Sequence, residues 1–420
     1  MDIEGGTPLR GTVQLPGDKS ISHRALLIAA LAKQRSHIRN ISPGEDVTAT
    51  RRFIEALGSE VDGDPRETVV IPGLPHGGEA LSIDCGNSGT TMRFGAGILA
   101  RTGRTTMLCG DASLSARPMA RVLEPLCSMG AQAWSVDGHP PIVLQPARLH
   151  GIDFAPPVAS AQVKGAVLLA ALGAEGETVI RERVPTRAHT EEMLRVAGID
   201  VAIEAGRVRL RPGTPEALDL TVPGDPSAAA FWVVAASVVP GSRLRVEGMY
   251  RGPGRGGFLD VLARMGADVK VTEQGPNLID VEVGSADLKG TDVSDAAEIA
   301  AAVDEVPAIA VAAACATGTT VIAGAQELRL KESDRLTALR DGLGAMGVGV
   351  EETPDGLVIE GVGPEGLVGA RVDSRRDHRI AMAMAVAGLA ARGATRIEGW
   401  DSVAVSDPSF EAQLAKLRAA

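Results

Sequence analysis

Hydrophobic and polar positions along the chain fall into a unit that recurs six times. Each unit opens on a polar turn and enters a helix that is apolar nearly all round. A Gly or Thr-Gly turn leads to a short β-branched strand and then to an amphipathic helix that stops at a glycine. One or two further strands close the unit. The first helices are predicted over 21–32, 90–100, 162–172, 227–239, 307–316 and 379–391. The second helices are predicted to stop at Gly58, Gly130, Gly198, Gly266 and Gly347, in Leu-Gly, Met-Gly or Ala-Gly pairs. The sixth copy runs out in 410–420. A helix apolar on every side must be enclosed, whereas an amphipathic one covers a surface. Three units can enclose three apolar helices, so six units predict two similar α/β domains.

The 420-residue length fits two or three domains, and 45% apolar with 23% charged residues is a globular composition. Only 2% of residues are aromatic, as expected of closely packed Ala-, Gly- and Val-rich helices. The chain carries 42 Lys and Arg against 53 Asp and Glu, a formal charge of −11. That balance excludes an extended nucleic-acid surface, which needs a basic stripe and stacking aromatics. The apolar stretches 228–239 and 380–391 are shorter than the roughly 18–20 residues that span a bilayer. No basic segment followed by an apolar one opens the chain, so a cytoplasmic protein without a membrane partner is expected. Cys85, Cys109, Cys127 and Cys315 form no C-x-x-C pair and have no His at ligand spacing, so neither a disulfide nor a metal site is expected.

The starts of the apolar helices carry the chemistry. Asp18-Lys19-Ser20, Asn87-Ser88, Ala159-Ser160, Asp225-Pro226, Asp304-Glu305 and Asp377-His378 supply capping residues. Beside them stand Lys19, Arg24, Arg93, Lys164 and Arg379. Cations at helix N-termini oppose the helix dipole. A bound anion compensates them, because free N–H groups and Lys or Arg converge on phosphate or carboxylate.

Six motifs then resemble one family. They are Leu15-Pro16-Gly17-Asp18-Lys19-Ser20-Ile21-Ser22-His23-Arg24, Gly86-Asn87-Ser88-Gly89-Thr90-Thr91-Met92-Arg93 and Gly110-Asp111-Ala112-Ser113-Leu114-Ser115-Ala116-Arg117-Pro118. Ser160-Ala161-Gln162-Val163-Lys164, Leu330-Lys331-Glu332-Ser333-Asp334-Arg335 and Asp377-His378-Arg379-Ile380 complete the series. In this order, over essentially the whole chain, they resemble the 5-enolpyruvylshikimate-3-phosphate synthases. The resemblance implies two domains, each of three βαβαββ units around buried helices, an inverse α/β barrel-like fold. It divides the chain into 1–17 plus 227–420 and 18–226, with crossovers near 17–20 and 223–227 and the active site in the interdomain cleft. It implies a monomer without cofactor or metal. The reaction implied is transfer of the enolpyruvyl group of phosphoenolpyruvate to the 5-hydroxyl of shikimate 3-phosphate, with release of phosphate, on the route to chorismate and aromatic amino acids.

By the same resemblance, Lys19, Ser20, Arg24, Ser160, Ala161, Gln162, Arg187, Asp304 and Lys331 hold shikimate 3-phosphate. Lys19, Gly89, Arg117, Gln162, Arg335 and Arg379 hold phosphoenolpyruvate, with Asn87, Arg93 and His378 in support. Glu332 is expected to exchange the proton at C3, Asp304 to accept the 5-hydroxyl proton, and Lys19 to assist. Gly89 lacks the methyl of glyphosate-tolerant members, so inhibition by glyphosate is expected. Thr186 and Ala188 depart from the family's Ser and Asp around Arg187. Phe94 replaces a usual Pro or Leu, and Val405 and Asp407 replace a Lys and an aromatic. The related UDP-N-acetylglucosamine enolpyruvyl transferases carry a Lys-Asn pair and a reactive loop Cys. Here the pair is Lys19-Ser20, and the loop 111–118 has no Cys. A non-catalytic anion-binding paralogue would have lost a carboxyl or an Arg, yet Lys19, Asp304, Glu332, Arg335 and Arg379 all remain.

Overall fold

Five four-stranded sheets and one three-stranded sheet are built in a computed structural model that describes residues 1–73, 78–204, 206–363 and 365–419. The chain divides into two compact units, Met1–Pro16 with Pro223–Ala420, and Gly17–Val222. The four-stranded sheets share one plan. An edge strand runs parallel to the second strand, which is antiparallel to a third, itself antiparallel to a fourth. Leu81–Asp84, Thr106–Cys109, His139–Gln145 and Gln132–Val136 are one example. Asp153–Phe154, Thr178–Arg181, Arg207–Leu210 and Val201–Glu204 are another. Parallel neighbours cannot be joined by a tight turn, and in these two sheets an apolar helix makes the crossover.

We label the six apolar helices α1 (Lys19–Leu31), α2 (Gly89–Leu99), α3 (Ala161–Ala171), α4 (Pro226–Val238), α5 (Val306–Cys315) and α6 (His378–Ala390). Every residue of α4, α5 and α6 is buried, and these three helices pack on one another. In the other unit α2 packs on α3 so closely that a Cβ at Gly97 would lie 2.2 Å from the Ala166 carbonyl oxygen. Small residues are therefore a requirement of the contact. The scarce aromatics are concentrated: Trp232 of α4 stacks on Phe410 of the C-terminal helix at 4.4 Å between centroids. The amphipathic helices stop at glycine as predicted, with Gly58 and Gly130 at φ of 100° and 98°.

The structure adds three things to the sequence reading. The incomplete sixth copy is finished by the start of the chain, because Asp2–Glu4 pairs antiparallel with Ala394–Glu398. A helix at Ala296–Ala302, capped by Asp295, precedes α5. The boundaries also move. Residues 223–226, expected with 18–226, pack with the first unit, where the Asp225 N–H donates to Pro16 O and the Gly224 N–H to Gly248 O. Gly17 goes the other way, since its Cα approaches Asn40 so closely that a Cβ would sit 1.8 Å from the carbonyl oxygen. Among the described residues, no helix is long and apolar enough to cross a membrane.

Candidate active site

In the Gly17–Val222 unit the candidate residues gather at helix starts. The α1 cap is Asp18, whose Oδ1 accepts the Ile21 N–H at 2.8 Å. Lys19 Nζ donates to Asp46 Oδ2 at 2.9 Å. Arg24, nearly buried, donates from Nε to Thr190 Oγ1 at 2.7 Å and from Nη1 to Ser20 O at 2.8 Å. Its guanidinium stands 4.7 Å from the centre of the Phe94 ring, within cation–π range. Arg187 Nη1 donates to Ser20 Oγ at 3.3 Å, so Ser20, Arg24 and Arg187 form one group.

A second group surrounds the α2 start. Ser88 caps the helix by accepting the Thr91 N–H. Arg93 donates to Gln162 Oε1 at 2.6 Å, and Gln162 in turn donates to Thr90 Oγ1 at 3.0 Å. Arg117 donates to Asn87 Oδ1 at 2.6 Å, and Asn87 donates to Asp111 Oδ2 at 2.7 Å. A Cβ at Gly89 would lie 2.9 Å from Arg93 Nη1 and 3.2 Å from Arg117 Nη1, so glycine here makes room for two guanidinia. Ser160 caps α3, and Ala161 and Gln162 open that helix. Beneath these groups the His23 imidazole shares a 2.6 Å hydrogen bond with Thr50. Burial, with Lys19 and Arg24 adding to it, holds its pKa well below the ordinary 6.5, so it is neutral.

The other unit mixes cations with carboxylates. Asp304 Oδ1 faces Arg335 Nη1 at 3.6 Å, Lys331 Nζ at 3.7 Å and Arg379 Nε at 4.0 Å, while Arg379 Nη1 donates to the Asp304 carbonyl at 2.9 Å. Arg335, 1% exposed, donates to Glu332 Oε2 at 2.5 Å and to Asp377 Oδ2 at 2.7 Å. Burial alone would lower the Arg335 pKa, but Asp377, Glu332 and Asp304 hold it up, so the guanidinium stays charged. Burial lowers the Lys331 ammonium, an effect that Asp304 opposes. His378 is buried beside Asp377, 4.0 Å from its carboxylate. Asp377 also caps α6 by accepting the Arg379 N–H at 2.9 Å.

Two readings of the helix starts change. Lys164, read as an anion-facing cation, is 2% exposed at the side chain and paired with Glu182 and Glu191 at 2.9 and 2.7 Å. Its counter-ions lie far off in sequence, beyond the reach of a helix-start pattern. Asp304 is not the α5 cap. Glu305 occupies that position without capping, and its carboxylate instead accepts from Arg255 Nη1 at 2.9 Å and from the Ser227 hydroxyl. Asp46, Asp377 and Glu305 were missed as partners, although Asp46 and Asp377 open helical patterns. Thr186 donates its hydroxyl to Glu182, and Ala188 leaves the start of the helix His189–Val196 without a side-chain cap. Asp407 is buried and accepts the Ser409 N–H and hydroxyl, a local structural role, and Val405 ends a short 3₁₀ segment. Among the described residues, no group of three His, Cys, Asp or Glu could hold a metal ion.

The chain as a whole has counterparts among known proteins. The family model of EPSP synthase (3-phosphoshikimate 1-carboxyvinyltransferase) matches residues 3–414. The 3-phosphoshikimate 1-carboxyvinyltransferase of Gloeobacter violaceus is 48% identical over 98% of this chain and 97% of its own. That of Chloroflexus aggregans is 45% identical over 98% and 97%. The EPSP synthase structure from Acinetobacter baumannii superimposes with a TM-score of 0.86 at 38% identity, covering 99% of this chain and 97% of that one. The chain belongs to the EPSP synthase family.

Proposed function

We propose that this protein transfers the enolpyruvyl group of phosphoenolpyruvate to the 5-hydroxyl of shikimate 3-phosphate and releases phosphate. The observation that carries this reading is Asp304 and Glu332, two carboxylates held among Lys331, Arg335 and Arg379. Addition needs a proton delivered to C3 of phosphoenolpyruvate while the hydroxyl oxygen bonds C2 and loses its own proton. Elimination reverses the C3 step and breaks the bond from C2 to phosphate. Glu332 gives and retakes the C3 proton. Asp304 takes the hydroxyl proton, and Lys19 assists phosphate departure. Arg is suited to the phosphate and carboxylate of each substrate because its planar fork binds oxyanions bidentately. We assign Lys19, Ser20, Arg24, Ser160, Ala161, Gln162, Arg187, Asp304 and Lys331 to shikimate 3-phosphate. We assign Lys19, Gly89, Arg117, Gln162, Arg335 and Arg379 to phosphoenolpyruvate, with Asn87, Arg93 and His378 in support. Fixed charges in such a site stabilise the charge that develops during reaction.

The test is mass spectrometry of the products together with phosphate release. The pure chain should convert shikimate 3-phosphate and phosphoenolpyruvate to the enolpyruvyl ether, one phosphate per ether. No ether, or an ether formed on UDP-N-acetylglucosamine instead, would overturn the assignment. A cytoplasmic monomer goes with this reading, and size-exclusion chromatography tests the monomer.

A further inference from the structure

Lys164 is buried between two carboxylates, and its position is informative. Its ammonium reaches two segments. On one side it donates to Glu182 Oε2 at 2.9 Å and to Thr186 O at 3.4 Å. Glu182 Oε1 accepts both the N–H and the hydroxyl of Thr186, which closes the turn directly before Arg187. On the other side Lys164 lies 2.7 Å from Glu191 Oε1, in the first turn of the helix His189–Val196. The preceding residue, Thr190, accepts the Arg24 Nε–H at 2.7 Å. One buried ammonium therefore anchors both the turn that carries Arg187 and the helix start that holds Arg24.

We propose that Lys164 is a positioning residue for the shikimate 3-phosphate side of the site, acting through Glu182 and Glu191 on Arg187 and Arg24. This rests on the function proposed above. A buried ion cluster is an unreliable source of stability, since a well-packed apolar replacement often does as well. What the cluster does supply is fixed geometry. Both arms end at arginines that meet at Ser20. Small displacements of binding groups weaken a site steeply, so the loss falls on one substrate.

The test is steady-state kinetics of the full chain with each substrate varied in turn. Lys164→Met is expected to raise KM for shikimate 3-phosphate by roughly tenfold or more, with KM for phosphoenolpyruvate changed less than about threefold and kcat retained at saturation. Lys164→Met leaves two carboxylates facing each other in the interior, so Glu182→Gln is the companion. It keeps the shape and the Lys164–Glu191 pair while loosening the turn before Arg187, and should raise the same KM by a smaller factor. Arg187→Ala should then cost less in the Glu182→Gln background than in the wild type. The inference is overturned if both KM values rise together, if only the melting temperature falls, or if the Glu182→Gln and Arg187→Ala effects multiply independently. A wild type that turns over both substrates, with variants unaltered in KM for shikimate 3-phosphate, overturns this inference alone. A wild type that turns over neither overturns the function as well.

Discussion

The two units treat their cations differently. In Gly17–Val222, Arg24, Arg93, Arg117 and Arg187 donate to the uncharged side chains of Thr190, Gln162, Asn87 and Ser20, while Lys19 donates to the Asp46 carboxylate. In the other unit Lys331, Arg335 and Arg379 face carboxylates, namely Asp304, Glu332 and Asp377. A guanidinium that donates to an uncharged side chain has further N–H groups suited to an oxyanion. Cations on carboxylates instead hold acid–base groups in place. The contrast suggests a division of labour in which one unit grips oxyanions and the other also moves protons.

That division makes predictions that differ by unit. The largest concerns Asp304→Asn and Glu332→Gln, which should lower kcat by about 10²–10⁴-fold while both substrates still bind, as steady-state kinetics and titration calorimetry will show. Arg187→Ala should do the converse, raising KM for shikimate 3-phosphate and leaving kcat at saturation. Next, Arg335→Met leaves Asp377 and Glu332 without their buried counter-ion. Its expected cost is about 3–5 kcal/mol of stability in urea unfolding, in addition to lost activity. Gly89→Ala presses a methyl on Arg93 and Arg117. It should weaken phosphoenolpyruvate and glyphosate by about 1 kcal/mol or more, roughly fivefold, in KM and inhibition constant.

The last effect is a pH dependence in the Gly17–Val222 unit. His23 is kept neutral when folded but takes a proton near pH 6.5 when unfolded. Below that pH the unfolded state binds the extra proton, so stability falls as pH falls, by at most about 1.4 kcal/mol per pH unit. The contribution is fully present above pH 6.5. His23→Asn should flatten this slope in unfolding experiments between pH 5 and 7, by roughly one proton's worth.

Much of this was legible in the chain. All-round apolar helices and their glycine stops are local patterns, and they appear where expected because enclosure and left-handed caps are dictated locally. Gly89, Arg93 and Arg117 could be grouped from their motifs. Their contacts with Gln162 and Asn87 could not, because those pairings span the Gly17–Val222 unit. Lys164 misled for the same reason: its helix position is visible in sequence, but Glu182 and Glu191 reach it only through folding. Completion of the last sheet by Asp2–Glu4 was hidden too, since a three-residue strand carries almost no pattern.

The most direct test of the division of labour is deuterium entry at C3 of phosphoenolpyruvate in heavy water, with shikimate 3-phosphate present at saturation. The wild type should place deuterium at C3, because in the function proposed addition and its reversal pass that proton through Glu332. Arg187→Ala should still do so once saturated, whereas Glu332→Gln should lose the exchange. Exchange by Glu332→Gln at the wild-type rate would contradict the account.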